Sequence, residues 1–269
     1  MRPARPQVLI LHANGTNRDH EAALACTLAG ATPDIVHMNQ LLAGEHRLLD
    51  YHMLVVPGGF SYGDDLGAGT LWALDLRHRL GHDMAAFAAS GRPVLGICNG
   101  FQALVKAGLL PGPGPDPTGN QQRGFSPHQR RVTLAPNILR RFECRWVYLS
   151  PDPQSPCLFT QGLDDLVYCP VAHGEGRLVA RSDEDLADLT TRHLVALTYV
   201  DAAGNVANYP ANPNGSVMGM AGLCNPAGNV LGMMPHPEDH IFPWQHPRWH
   251  RGERGMVGLR LFERGVQAC

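Results

Sequence analysis

The chain has 269 residues, of which 44% are hydrophobic and 17% are charged, and its 22 basic and 24 acidic side chains give a formal net charge of −2. This composition is typical of a compact globular protein, and the balanced charge argues against a nucleic-acid binder or a basic membrane-surface protein. The first apolar stretch, residues 8–11, is shorter than the roughly 7–15 residues of a signal-peptide core, and no segment approaches the ~20 apolar residues of a membrane span. We therefore expect a cytoplasmic protein that binds neither nucleic acid nor a membrane.

Seven cysteines are spread along the chain, and no two of them form a C-x-x-C pair. An odd number of widely spaced cysteines predicts neither a disulfide framework nor a zinc site. We expect most of them to be free thiols in a reducing compartment.

Strand and helix patterns alternate in the first half of the chain. Strands are predicted at 8–11, 34–38, 53–56 and 94–97, and helices at about 16–29, 70–90 and 99–110. The longest helix carries one apolar stripe, formed by Trp72, Leu76, Leu80, Met84 and Phe87. Alternating prolines and glycines at 111–115 end the last helix. This order predicts an α/β fold, with a mainly parallel sheet and helices on both faces.

The second half of the chain is richer in strands and turns. Further strands are predicted at 131–134, 145–149, 177–180, 194–200, 217–223 and 230–234. No internal repeat and no linker divides the sequence. We therefore predict a single domain over residues 1–269, with an irregular tail, rich in aromatic residues and histidine, from about residue 239.

Residues 96–102 read G-I-C-N-G-F-Q and follow an apolar strand. Gly96 and Gly100 flank Cys98 at the spacing of a nucleophile elbow, in which a strand turns sharply into a helix. The dipole at the start of that helix favours a thiolate, and the backbone N–H of Asn99 can donate to an oxyanion. The alternative is a buried structural cysteine between two packing glycines.

A nucleophilic thiol needs a base, and one of the 14 histidines is placed for this role. His236 lies in the sequence M-M-P-H-P-E, at the end of the strand predicted at 230–234. The two flanking prolines stiffen the loop, and Glu238 can orient the imidazole as the third member of a triad. Taken alone, P-H-P-E could also be a rigid surface turn.

G-I-C-N-G-F-Q together with P-H-P-E resembles the triad-type (class I) glutamine amidotransferases. Three further stretches are similar to the glutaminase subunits of phosphoribosylformylglycinamidine synthase: P-G-G-F-S-Y-G-D-D at 57–65, A-H-G-E-G-R at 172–177 and N-Y-P-A-N-P-N-G-S at 208–216. Similar stretches extend from about residue 8 to residue 242. The resemblance implies the flavodoxin-like architecture of that family and the release of ammonia from glutamine.

The resemblance also implies roles for individual residues. Cys98 is the expected nucleophile, His236 the general base and acid, and Glu238 the residue that orients the imidazole. Gly58, Gly59, Asn99 and Gln102 are the expected oxyanion and glutamine-binding residues. The implied partners are L-glutamine and a synthetase subunit that uses ATP and Mg²⁺, so we expect no cofactor and no metal in this chain. The need for a small third subunit stays open.

Several features depart from this pattern or allow other interpretations. The family's early P-G-[ST]-N-C-D appears here as A-N-G-T-N-R-D at 13–19, and Asp239 follows P-H-P-E where an arginine is usual. The tail histidines could hold a metal, pack onto the domain or contact a partner. The glycines at 57–69 match no phosphate-loop pattern, and H-G-E-G at 173–176 is either a substrate or synthetase contact or a turn. The alternative functions are another cysteine-elbow amidotransferase, a stress hydrolase or chaperone of the same superfamily, and an inactive regulatory module.

Overall fold

The protein is seen here as a computed structural model that describes residues 5–112, 130–253 and 258–269. Its strands are β1 (Gln7–His12), β2 (Thr32–His37), β3 (Met53–Val56), β4 (Val94–Ile97), β5 (Val132–Pro136), β6 (Glu143–Pro151), β7 (Val167–His173), β8 (Glu175–Ala180), β9 (Val195–Val200), β10 (Met220–Cys224) and β11 (Val230–Met233). Its α-helices are α1 (Asp19–Leu28), α2 (Met38–Leu42), α3 (Thr70–Leu74), α4 (Gly81–Ala89), α5 (Asn99–Ala107), α6 (Asp183–Thr191) and α7 (Leu259–Gln267).

A nine-stranded sheet in the order β2-β1-β3-β4-β11-β10-β9-β6-β7 forms the centre of the described chain, and β5 pairs with β8 beside it. The strands from β2 to β11 pair in parallel, whereas those from β11 to β7 pair antiparallel. In β3 and β4 every residue is buried, as expected for parallel strands covered on both faces. The predicted α/β fold is confirmed, and the sheet is mixed.

Helices cover both faces of the parallel half. Gly232 of β11 lies under α5, because a Cβ built there would come within 2.0 Å of the Phe101 ring. On the other face, a Cβ built at Gly265 of α7 would lie 3.0 Å from the end of Met53. The pairing register puts Met53 and Gly232 on opposite sides, since Gly232 aligns with Val56 through β4. Both helix layers therefore pack directly on the sheet.

The helix predicted over 70–90 is divided. Between α3 and α4 the chain forms a π-helical segment, Asp75–Arg79. In a regular helix, residues spaced by four drift around the axis, and three such spacings move an apolar stripe by about 120°. A π turn removes part of this drift, because it contains about one residue more per turn than an α-helix. All five residues of the stripe are buried as a result: Trp72, Leu76, Leu80, Met84 and Phe87.

Several elements differ from the sequence prediction. Strand β7 and helix α6 were not predicted, and α7 forms in the region where an irregular tail was expected. The preceding part of that region contains short 3₁₀ turns at Pro237–Asp239, Pro243–Gln245 and Trp249–Arg251. Residues 113–115 of the predicted helix terminator lie outside the described ranges. No helix in those ranges combines the length and hydropathy needed to cross a membrane.

Candidate active site

Cys98 occupies a sharp turn between β4 and α5. Its φ of 48° and ψ of −103° lie outside helix and strand geometry, and its side chain is almost fully buried. The glycines on either side permit the close approach of α5: a Cβ at Gly100 would lie 1.8 Å from the carbonyl oxygen of Val56, and one at Gly96 would lie 2.5 Å from Leu104. The elbow predicted from the sequence is therefore formed, with Cys98 at the N-cap position of α5.

His236 follows β11, next to β4 in the sheet, so it reaches the same edge as Cys98. Its Nδ1 lies 2.7 Å from Oε1 of Glu238, and both side chains are buried. This hydrogen bond makes Nδ1 the donor, which leaves Nε2 as the nitrogen that can take up a proton. Nε2 is buried and has no hydrogen-bond partner among the described residues.

The thiol and the imidazole meet beside Gly58. A Cβ built on Gly58 would lie 2.6 Å from Cε1 of His236 and 3.5 Å from Cβ of Cys98. Burial lowers the pKa of His236, but the charges of Glu238 and Cys98 outweigh this effect and hold the pKa well above its usual value. The raised pKa favours the protonated imidazole, which can act as a general acid.

Two predicted oxyanion donors flank this point. Gly59 has a φ of +141° and bridges to Thr16, and the following residue, Phe60, donates its N–H to the carbonyl of Gly15 at 3.1 Å. Asn99 begins α5, where helix geometry gives the backbone N–H no intrahelical acceptor. Gly59 follows Gly58, which lies beside Cys98, and Asn99 follows Cys98 in the chain.

Asn99 and Gln102 use their side chains to organise the loops around the elbow. Nδ2 of Asn99 donates to Asp64 at 2.8 Å and to Oε1 of Gln102 at 3.0 Å, and its Oδ1 accepts from the N–H of Ser61. Nε2 of Gln102 donates to the carbonyl of Glu175 at 2.6 Å. Both polar ends of Gln102 therefore already have protein partners, and its predicted contact with glutamine stays a prediction.

His173 is a member of this site that the sequence did not single out as a functional histidine. It is buried, its Nδ1 lies 3.1 Å from Oδ1 of Asn137, and burial together with the charge of His236 lowers its pKa to about 3. It is therefore neutral near the imidazole of His236. The preceding residue, Ala172, accepts a hydrogen bond from Sγ of Cys98 at 3.7 Å. The A-H-G-E-G-R stretch was the only sequence signal for this part of the site.

One group in the described ranges has the spacing of a metal site: ligand atoms of His236, Glu238 and Asp239 lie within 4.8 Å of one another. In this group Nδ1 of His236 is already hydrogen-bonded to the Glu238 carboxylate, which is the arrangement of a general base and its orienting acid.

The histidine-rich tail packs onto the domain. Nδ1 of His240 lies 2.5 Å from the carbonyl oxygen of Tyr168, and the two rings meet edge to face.

The structure thus brings together a strained cysteine, a histidine with a raised pKa and a buried carboxylate, next to the two backbone amides predicted to be oxyanion donors. Such a set can attack an uncharged carbonyl carbon, stabilise the oxyanion and protonate the leaving group. The residues predicted from the sequence, Cys98, His236 and Glu238, lie at one edge of the sheet, although 138 positions separate the first two. An amide fits this chemistry as a substrate, because it has an uncharged carbonyl carbon and a nitrogen that must be protonated to leave.

Comparisons with known proteins agree with this chemistry. A sequence profile of the CobB/CobQ-like glutamine amidotransferase domain matches residues 5–269. The phosphoribosylformylglycinamidine synthase subunit PurQ of Treponema denticola is 46% identical over 97% of this chain and 98% of its own, and that of Dehalococcoides mccartyi is 44% identical over 98% of each. A chain of the PurLQS structure from Thermotoga maritima superposes with a TM-score of 0.71 at 29% identity, covering 98% of both chains.

Proposed function

The chain belongs to the glutamine amidotransferase family, in its group of PurQ subunits, and we propose that it hydrolyses L-glutamine and supplies the ammonia to a synthetase. The observation that carries the proposal is the convergence of Cys98 and His236 beside Gly58, with Glu238 2.7 Å from the imidazole. The site accounts for both half-reactions with residues of this chain alone.

In the first half-reaction the thiolate of Cys98 attacks the carbon of the glutamine side-chain amide. The carbonyl oxygen gains negative charge, which the N–H groups of Gly59 and Asn99 stabilise. The imidazolium of His236 then gives its proton to the nitrogen, the carbon–nitrogen bond breaks and ammonia leaves. A γ-glutamyl thioester remains on Cys98.

In the second half-reaction water replaces ammonia. His236, now neutral, removes a proton from the water molecule as its oxygen attacks the thioester carbon. The carbon–sulfur bond breaks, glutamate is released, and the proton on His236 restores the imidazolium beside the thiolate. Glu238 keeps the imidazole in the tautomer that both steps need.

The ammonia is proposed to be consumed by the synthetase subunit of phosphoribosylformylglycinamidine synthase. There ATP and Mg²⁺ drive the conversion of formylglycinamide ribonucleotide to the amidine, so this chain itself needs neither cofactor nor metal. The names of the relatives support this assignment, and the PurLQS structure supports a complex with more than one other subunit. A small third subunit and a cytoplasmic location belong to the same proposal.

The test is a Cys98→Ala variant assembled with the synthetase from the same source. Glutamine-dependent amidine formation should be abolished, whereas external ammonium salt should still support it. The stress-hydrolase and chaperone alternatives predict no glutamine turnover by the wild type. Near-wild-type glutamine turnover by Cys98→Ala would rule out this cysteine as the nucleophile.

A further inference from the structure

A short turn beside the active site exposes apolar side chains on a rigid backbone. Ile138 is 56% exposed, Leu139 47% and Phe142 51%. Phe60, which directly follows Gly59, is 47% exposed and stacks on Phe142 with 6.4 Å between ring centroids. Apolar side chains grouped in this way on a protein surface are typical of an interaction site.

Hydrogen bonds fix this turn from below. Nδ2 of the buried Asn137 donates to the carbonyls of Arg141 at 3.0 Å and His173 at 2.8 Å, and the N–H of Ile138 donates to the carbonyl of Asn214 at 3.0 Å. The side chains on the turn are thus presented by an ordered backbone. Binding of a partner to these side chains therefore costs little conformational entropy in the backbone of the turn.

The same surface is cationic. Arg140 and Arg177 line a cavity of about 800 Å³ together with Ile138 and Phe142, and among the described residues no carboxylate lies within ion-pair distance of either arginine. Two carboxylates are close in the chain or the cavity, and both have another cation: Glu143 is buried and paired with Arg141 and Arg145, and Glu175, which also lines the cavity, lies 3.9 Å from Lys106.

The cavity adjoins the catalytic residues. Gly174 and Glu175 form part of its lining, and they follow His173 directly in the chain. The carbonyl of Glu175 also accepts the hydrogen bond from Gln102 on α5. A protein bound here would therefore cover the side of the molecule on which the thiol is located.

We propose that Phe60, Ile138, Leu139, Arg140, Phe142 and Arg177 form the docking surface for the synthetase subunit, which meets them with apolar side chains flanked by carboxylates. This inference rests on the proposed function, since it assigns the partner of the same site. Two observations favour the synthetase: the surface has excess positive charge although the whole chain is slightly acidic, and it borders the site that releases ammonia. Aromatic and arginine side chains are also the residue types that contribute most to binding at interfaces.

The test measures binding of the full chain to the purified synthetase from the same source. Ile138→Asp and Arg140→Glu should each weaken binding by about 30-fold, the effect of losing a residue that dominates an interface. The matched controls, Val206→Asp and Arg47→Glu, change exposed residues elsewhere and should bind like the wild type. Added salt should weaken binding of the wild type more than that of Arg140→Glu, because salt screens the ion pair of Arg140, which only the wild type makes.

Glutamine hydrolysis by the isolated chain separates this inference from the proposed function. Ile138→Asp and Arg140→Glu should keep the basal kcat and KM of the wild type. Unchanged binding in both variants, a raised KM for glutamine, or a wild-type dimer that Ile138→Asp dissociates would each overturn the docking surface. If instead the wild type neither bound the synthetase nor hydrolysed glutamine, the proposed function itself would fail.

Discussion

In the proposed mechanism both half-reactions depend on His236, because its Nδ1 is hydrogen-bonded to Glu238 and its ring lies with Cys98 beside Gly58. His236→Ala should lower glutamine hydrolysis by at least about 10²-fold, the lower end of general acid–base contributions. Glutamate release at saturating glutamine gives the kcat. His82→Ala is the control, since its side chain is 95% exposed. A dispensable His236 together with another essential histidine would contradict the triad.

Glu238→Gln tests the electrostatic part of the same arrangement. The Glu238 carboxylate helps to raise the pKa of His236, so its removal should lower that pKa. The imidazolium then loses its proton at a lower pH, and the alkaline limb of the kcat profile should shift toward neutral pH. The loss of rate should be smaller than in His236→Ala, because the amide can still accept a hydrogen bond. An unshifted profile would show that Glu238 does not set the pKa.

Asp239 gives a second pH-dependent effect, on stability. Burial and the nearby Glu238 raise its pKa from 3.8 to about 6, although Arg18 lies 3.3 Å away. The folded state therefore binds this proton more tightly than the unfolded state, and the contribution of Asp239 to stability falls as pH rises from about 4 to about 6. Urea unfolding at pH 4 and pH 7.5 gives the free energy of unfolding of Asp239→Asn and of the wild type. The difference between the two proteins should move in favour of the variant by on the order of 1–2 kcal/mol from pH 4 to pH 7.5. A pH-independent difference would contradict the raised pKa.

At the residue scale, motif spacing predicted Cys98, His236 and Glu238, because elbows and stiff proline loops have strong local signatures. It could not predict the neutral state of His173. That state depends on burial and on the charge of His236, which lies far away in the sequence. The hydrogen-bond partners of Gln102 could not be predicted either, because one of them is the backbone carbonyl of Glu175, on β8, which is distant in the sequence.

At the scale of elements, the packing of α5 against the sheet decides where the thiol points. Gly100→Ala should destabilise the protein by more than about 3 kcal/mol and abolish activity, because the added Cβ would meet the carbonyl of Val56 at 1.8 Å. Gly81→Ala is the matched control, since Gly81 also lies in a helix but its nearest contact would be 4.0 Å away. It should stabilise the protein by about 0.4–1 kcal/mol, because alanine leaves the unfolded chain fewer conformations to lose. Urea unfolding of the two variants measures both effects, and equal stabilities would contradict this account of the elbow.

Buried parallel strands were the easiest elements to predict, because a short apolar run such as the M-L-V-V of β3, followed at once by proline and glycines, is too short for a helix. Strand β7 was missed because Pro170 interrupts its pattern, although an edge strand tolerates a proline. Helix α7 was missed because a short amphipathic segment after a proline-rich stretch looks irregular until its partner is known. That partner includes Phe159, which packs against Gly265.

At the scale of the whole molecule, the site joins the two halves of the sheet. Cys98 and His236 end parallel strands, whereas His173 ends β7 at the antiparallel edge and reaches the site from there. Local sequence patterns predicted each half but not how they meet, since that depends on contacts between distant segments. The docking surface also draws on both halves, with Phe60 after β3 and Phe142 before β6.

This arrangement predicts that the isolated chain is a poor glutaminase and that its synthetase activates it. The peptide between Gly58 and Gly59 can rotate at low cost because neither residue has a Cβ, and Gly59 already has a φ of +141°. An oxyanion donor that turns away removes roughly 3–4 kcal/mol of transition-state stabilisation, which corresponds to about 10²–10³ in rate. Because Phe60 belongs to the docking surface and adjoins Gly59, contact with the synthetase would hold the donor in place.

Adding the synthetase with its nucleotide and ribotide substrates should therefore raise kcat for glutamine by about 10²–10³-fold. The measurement is glutamate release by the chain alone and across a range of synthetase concentrations. Ile138→Asp should reach the same plateau only at higher synthetase concentration, because it weakens docking without changing the oxyanion donors. Equal rates with and without the synthetase, under conditions in which the complex is shown to form, would refute coupling between docking and catalysis. A lower plateau for Ile138→Asp would instead mean that the turn acts on the catalytic residues directly, through Asn137 and its hydrogen bond to His173.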